Sequence, residues 1–114
     1  MAGPDPDDIH RDFRGAVNMA PDELAAWLES GESRRVGWTR PGESESVGRS
    51  AGRRIVRILA TAEPELGEED YRLMRKAVGV IRRHRAQQPE NIVTSRWRYA
   101  LMNWGHDPLK ELEL

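Results

Sequence analysis

The sequence predicts an all-α fold, a compact bundle of about five helices with one long Gly/Ser/Pro-rich loop near residues 31–46. Three observations carry that prediction. Apolar residues recur at spacings of three and four, as on the buried stripe of a helix. Residues that start and stop helices bracket each of these stretches. No segment alternates apolar and polar residues between hairpin turns, so strands are not expected.

The first helix opens at DPDD. There Asp5 serves as cap, Pro6 suits the first helical position, and Asp7 and Asp8 favour the positive end of the helix dipole. Ile9, Phe13 and Val17 follow at i, i+4 and i+8 before Asn18 and Met19 interrupt the stripe. Pro21, Asp22 and Glu23 open a second helix, with Leu24, Trp27 and Leu28 on one face and Gly31 as its stop. Residues 31–46, GESRRVGWTRPGESES, have no period and read as an exposed loop. Ser46 caps a third helix that runs to about Ala62, and Gly48 and Gly52, one turn apart on it, predict the close approach of another helix. Glu68, Glu69 and Asp70 start the longest helix, and Gln88-Pro89 stops it. Thr94 or Ser95 caps a fifth, which Gly105 and Pro108 end. The domain is expected over 1–109, with 110–114 as a frayed tail.

Trp97, Leu101 and Trp104 fall at i, i+4 and i+7 on the fifth helix and so share a face. Two readings compete, a platform on which bases stack and a plug that closes the core. Stacking surfaces need exposed rings interleaved with cations. Burying two tryptophans contributes several kcal/mol, out of the roughly 5–15 kcal/mol a domain has in hand. The helical spacing favours the plug.

Length and composition narrow the function classes. A chain of 114 residues is one domain with one core. The absence of cysteine removes disulfides and thiolate metal sites and fits a cytoplasmic setting. MAGPDPDD lacks the basic start of a signal peptide, and no apolar run approaches a membrane span, so no membrane partner is expected. His10, His84 and His106 do not pair at metal-ligand spacing. His106-Asp107 resembles part of a catalytic pair, but adjacent residues rarely face one another and no nucleophile elbow accompanies it. GESESVGRSAGRR lacks the phosphate-loop pattern and a preceding strand. The chain therefore reads as non-enzymatic, with no metal or cofactor.

Charge is the sharper signal. Residues 1–48 hold ten acids and five bases, a net of −5; residues 49–98 hold twelve bases and six acids, a net of +6. Arg49, Arg53 and Arg57 recur every four residues on the third helix, and Arg72, Lys76 and Arg83 share a line on the fourth. These six residues suggest weak, sequence-tolerant contact with the phosphates of DNA or another polyanion. The competing expectation is that the acidic first half folds over both stripes and neutralises them. A pI near 6.3 weighs against a dedicated nucleic-acid domain, and sixteen Arg against two Lys fits a GC-rich coding sequence. The alternative function is a protein-interaction module in which Trp38, in the 31–46 loop, anchors a partner.

Four segments carry a family resemblance: AVNMAPDELAAWL, SVGRSAGRRIVRIL, YRLMRKAVGVIRRHRAQQP and RWRYALMNWGHDP. With them the sequence resembles the domain of unknown function 3140 family of short bacterial and fungal proteins, over roughly residues 8 to 110. The resemblance implies DNA binding as an expectation and supplies no catalytic residues. The sequence departs from the family pattern at Ala20 and Gly67, where hydroxyl caps would be usual.

Overall fold

The computed structural model describes residues 4–111 and shows helices and turns but no strand among them. The elements are α1 Pro6–Ala16, α2 Pro21–Leu28, α3 Gly31–Arg34, α4 Val47–Leu59, a 3-10 turn at Glu63–Glu65, α5 Glu68–Arg85, α6 Arg96–Asn103 and α7 Pro108–Glu111. The all-α class and the five longer helices are those the sequence predicts.

Side chains start most helices. Asp5, Ser30, Ser46 and Ser95 each accept a backbone N–H one to three residues into the helix that follows, at 2.9–3.2 Å. Ala20 and Gly67 have no such acceptor. Instead the acid three residues on reaches back: Glu23 accepts from the Ala20 N–H at 3.1 Å, and Asp70 from the Gly67 N–H at 2.9 Å. Half of each capping box therefore forms without a hydroxyl at the cap.

α1 packs along α5 and α2 along α4, while α6 touches α2, α3, α4 and α5. Phe13, Leu24, Leu28, Ile55, Met74 and Leu101 form the centre of the core. Trp104 is buried in it, and Trp97 packs on its edge with its indole N–H donating to the His84 carbonyl. The last long helix is the plug.

Two glycines of α4 let α6 come this close. A β-carbon on Gly48 would lie 3.0 Å from the Trp104 indole nitrogen. One on Gly52 would run into the Asn103 carbonyl oxygen and sit 2.9 Å from Leu28 Cδ2.

Gly105 takes a positive φ of 89° and closes α6. The His106 N–H donates to the Leu101 carbonyl at 3.1 Å and the Gly105 N–H to the Met102 carbonyl at 2.9 Å, the paired bonds of a Schellman end. The following turn is buried, and Asn18 and Met19 receive it. Their N–H groups both donate to the Gly105 carbonyl, and the Asn18 side chain bonds both the N–H and the carbonyl of Asp107. The break after α1 is thus a seat for the turn between α6 and α7.

Several boundaries differ from the sequence reading. Gly31 does not stop α2; Glu29 caps it, and Gly31 opens α3 under the Ser30 cap. Residues 31–46 are therefore not one exposed loop, because Ser33 and Val36 are buried. α4 ends at Leu59 and α5 at Arg85, each three residues short of expectation. Lys110 and Glu111 are not frayed. The Lys110 ammonium donates to the Asn18 carbonyl and pairs with Glu23 at 2.6 Å, and Glu111 pairs with Arg85 at 2.9 Å. The remainder of the expected tail, 112–114, lies outside the described residues.

Candidate interaction groove and the fate of the arginine stripes

The structure divides the six stripe residues. Arg49 is buried, 7% exposed. Its guanidinium donates to the Leu28 carbonyl at 2.6 Å, to Ser33 Oγ at 3.2 Å and to Glu45 at 2.8 Å. It is an interior strut and offers nothing to a phosphate, which corrects its expected role. Arg53 is half exposed and pairs with Glu45 at 2.9 Å and Glu29 at 3.6 Å. Those acids hold the Arg53 guanidinium above its ordinary pKa, Glu45 most strongly through its hydrogen bond. Arg72 is exposed and pairs with Glu69 and Glu68 within its own helix. Arg57, Lys76 and Arg83 are exposed, with no carboxylate within 4.0 Å among the described residues. The acidic first half thus covers one end of the α4 stripe and leaves the α5 stripe uncovered.

Arg49 belongs to a polar network that the sequence reading missed. Asn103 Oδ1 accepts from Trp27 Nε1 at 2.8 Å and from Ser33 Oγ at 2.6 Å, and Ser33 Oγ accepts from Arg49. Four helices, α2, α3, α4 and α6, meet on these side chains. The signal in the sequence is Glu45, which stands four residues before Arg49 although it lies just outside the helix.

This network anchors α3, and the connection that follows it carries Trp38. Gly37 has φ +95°, and a β-carbon there would meet Ser46 at 3.1 Å. The Trp38 carbonyl accepts from the Val47 N–H at 2.9 Å. Trp38 is 65% exposed, while Val36, two residues earlier, is buried. The aromatic is therefore presented on a fixed backbone.

Beside it runs a groove between α5 and α6. One cavity of about 330 Å³ is lined by Trp38, Val47, Val80, Ala100 and Trp104, with Lys76 and His84 at its edge. It shares Gly37, His84 and Ala100 with a second cavity of about 420 Å³ that adds Val36, Trp97 and Arg96. It shares Val47 and Lys76 with a third of about 160 Å³ that adds Arg40 and Arg54. No aspartate or glutamate lines any of the three. The floor is apolar and the rim cationic. The Trp104 indole N–H over Gly48 donates to no acceptor among the described residues.

His84 sits where the first two cavities meet. Burial, and then the neighbouring Arg83 charge, lower its pKa from the ordinary 6.5. Asp107 is the second shifted group at this end of the bundle. Burial alone would raise it, but the bidentate Arg98 bonds at 3.1 Å, the Leu109 N–H and the charges of Arg98 and Lys110 outweigh that and hold it below its usual value.

Both shifts have the same consequence for stability. A histidine with a depressed folded pKa is protonated more readily in the unfolded chain, so its contribution is complete above 6.5 and declines as pH falls below it. An aspartate with a depressed pKa loses its contribution as pH falls from 3.8 through its folded value. Thermal melts should therefore show a first decline in melting temperature below about pH 6.5 and a second below about pH 4. His84→Gln should remove the first step and leave the second. A melting temperature that rises on acidification through 6.5 would contradict the assignment.

His106 is buried, with Nδ1 2.7 Å from the Ala16 carbonyl and Nε2 3.4 Å from Glu111. It ties the turn to α1, and its neighbour Asp107 faces Arg98, so the two do not form a catalytic pair. Among the described residues no three His, Asp or Glu side chains gather in a metal-binding group. No described helix is long and apolar enough to cross a membrane.

No curated protein and no solved structure matches the chain. The sequence model of one family, described as a protein of unknown function (DUF3140), matches residues 12–102, from within α1 to the last turn of α6, and so takes in the groove lining except Asn103 and Trp104. The chain belongs to this family, DUF3140.

Proposed function

We propose that the protein is a non-catalytic interaction module whose groove receives an acidic, amphipathic segment of a partner protein, with Trp38 as the anchor. The observation that carries this reading is the rigidly presented, exposed Trp38 beside an apolar trough whose rim holds cations and no carboxylate. Contiguous apolar surface rimmed by polar residues marks binding sites, and tryptophan is enriched among the residues that dominate binding energy. Lys76, Arg96, Arg40 and Arg54 would meet the partner's carboxylates, while its apolar side chains fill the floor.

The test is a selection of displayed peptides on the immobilised protein, counter-selected on Trp38→Ala. The reading predicts recovered peptides that are net acidic and carry at least one large apolar residue. Recovery of basic peptides, or of none that distinguish the two proteins, would refute it. Trp38→Ala should leave stability within about 0.5 kcal/mol of the parent, as for other surface substitutions. A clear fall in melting temperature would place Trp38 in the core and remove the anchor.

A second reading, weak DNA binding, rests on Arg57, Lys76 and Arg83, the exposed stripe cations without carboxylate partners among the described residues. With Arg49 interior and Arg53 engaged by two acids, Arg72 is the fourth contact at most. The slope of log K against log salt for duplex DNA should then be about −3 to −4. No binding at about 50 mM salt would end this reading.

A further inference from the structure

The other flank of α5 carries a separate cavity, of about 240 Å³, against α1. Its floor is Ile9 and Val78, and Arg75 and Arg82 stand on either side of Gly79. Arg75, Gly79 and Arg82 fall at i, i+4 and i+7, so a side chain at 79 would project between the two arginines. Glycine in the middle of an 18-residue helix is unfavourable and needs a reason. Packing does not supply one. A β-carbon at Gly79 would meet only the guanidinium tip of Arg83, the far end of a long side chain, at 3.3 Å, and φ there is ordinary. What glycine provides at this position is the open space itself.

Charge completes the site. Arg75 has no carboxylate within 4.0 Å among the described residues, and Arg82 is only loosely engaged by Asp12, at 3.9 Å. The cavity therefore has an apolar floor, two guanidinium donors and a net charge of +1 from Arg75, Arg82 and Asp12. It is smaller than a drug-sized pocket. The geometry points to a binding site for a small organic carboxylate, its compact apolar body on Ile9 and Val78 and its carboxylate held by Arg75 and Arg82. Arginine suits that task because its planar fork matches a carboxylate in two places.

Benzoate is a suitable probe, with benzyl alcohol and inorganic phosphate as controls lacking the charge or the apolar body. Amide shift titration of the whole chain should move Ile9, Asp12 and residues 75–82 with benzoate. Both controls should bind about tenfold or more weakly, and Arg75→Gln should weaken benzoate by about tenfold. Gly79→Met should abolish binding while the melting temperature holds or rises, because it removes a helix-interior glycine. Those results together support the site. Benzoate binding unchanged by Gly79→Met, equal binding of benzyl alcohol, or no shift at these residues would overturn it.

Discussion

Gly52→Ala is expected to be among the most damaging substitutions in the chain, destabilising it by about 3–5 kcal/mol. The added β-carbon would overlap the Asn103 carbonyl oxygen and press on Leu28. A flexible side chain could swing away, but a main-chain oxygen near the end of α6 moves only if the helix moves. That helix is the plug, and Asn103 also holds the Trp27–Ser33–Arg49 network. Denaturant unfolding should show the loss as a lower midpoint with little change in slope. Gly48→Ala should be milder, since the atom it meets belongs to the Trp104 ring at 3.0 Å. Equal, small effects at both positions would mean that α4 and α6 are not in the close contact described.

Arg49→Met is expected to cost about 2–4 kcal/mol, the second large effect. Methionine fills similar volume, so the loss comes from polar groups left behind. The Leu28 carbonyl loses its donor, and Glu45 keeps only Arg53. Arg49→Lys should recover little, because one ammonium does not reproduce three donors aimed at three acceptors. The experiment also separates two views of this residue. As a surface phosphate contact, Arg49 would be replaceable without loss of stability; as an interior strut it is not. Thermal or urea unfolding of the two variants decides between them.

The parts of the fold legible in the sequence were those governed by local rules. Asp5-Pro6, Ser46 and Ser95 announce helix starts because capping needs only a few neighbouring residues. Trp97, Leu101 and Trp104 reveal their shared face through spacing alone, and Gly48 and Gly52 mark a close approach because small residues have few other uses there. The end of α6 at Gly105 followed from the same chemistry.

Long-range partners were not legible. Arg49 and Arg53 look alike in a stripe repeating every four residues, yet one is buried and the other half exposed, because Ser33 and Leu28 arrive from a distant part of the chain. Gly31 reads as a stop for α2, but the Ser30 hydroxyl, which also donates to the Trp27 carbonyl, turns the chain directly into α3. Asn18 looks like an interruption until the turn from α6 docks on it, 89 residues later. For the candidate site, Trp38 stood out by its setting among Gly, Ser and Pro. The groove beside it did not, since its walls come from α4, α5, α6 and the connection after α3.

The proposed function places the partner at the Trp38 groove and not along Arg57 and Arg83. Amide chemical-shift mapping, run in parallel with duplex DNA and with a peptide from the selection at about 50 mM salt, tests that directly. The peptide should perturb Gly37, Trp38, Val47, Val80, Ala100 and Trp104, and DNA should leave the spectrum essentially unchanged. Shifts caused by DNA along Arg57 and Arg83, with the groove silent to the peptide, would contradict it.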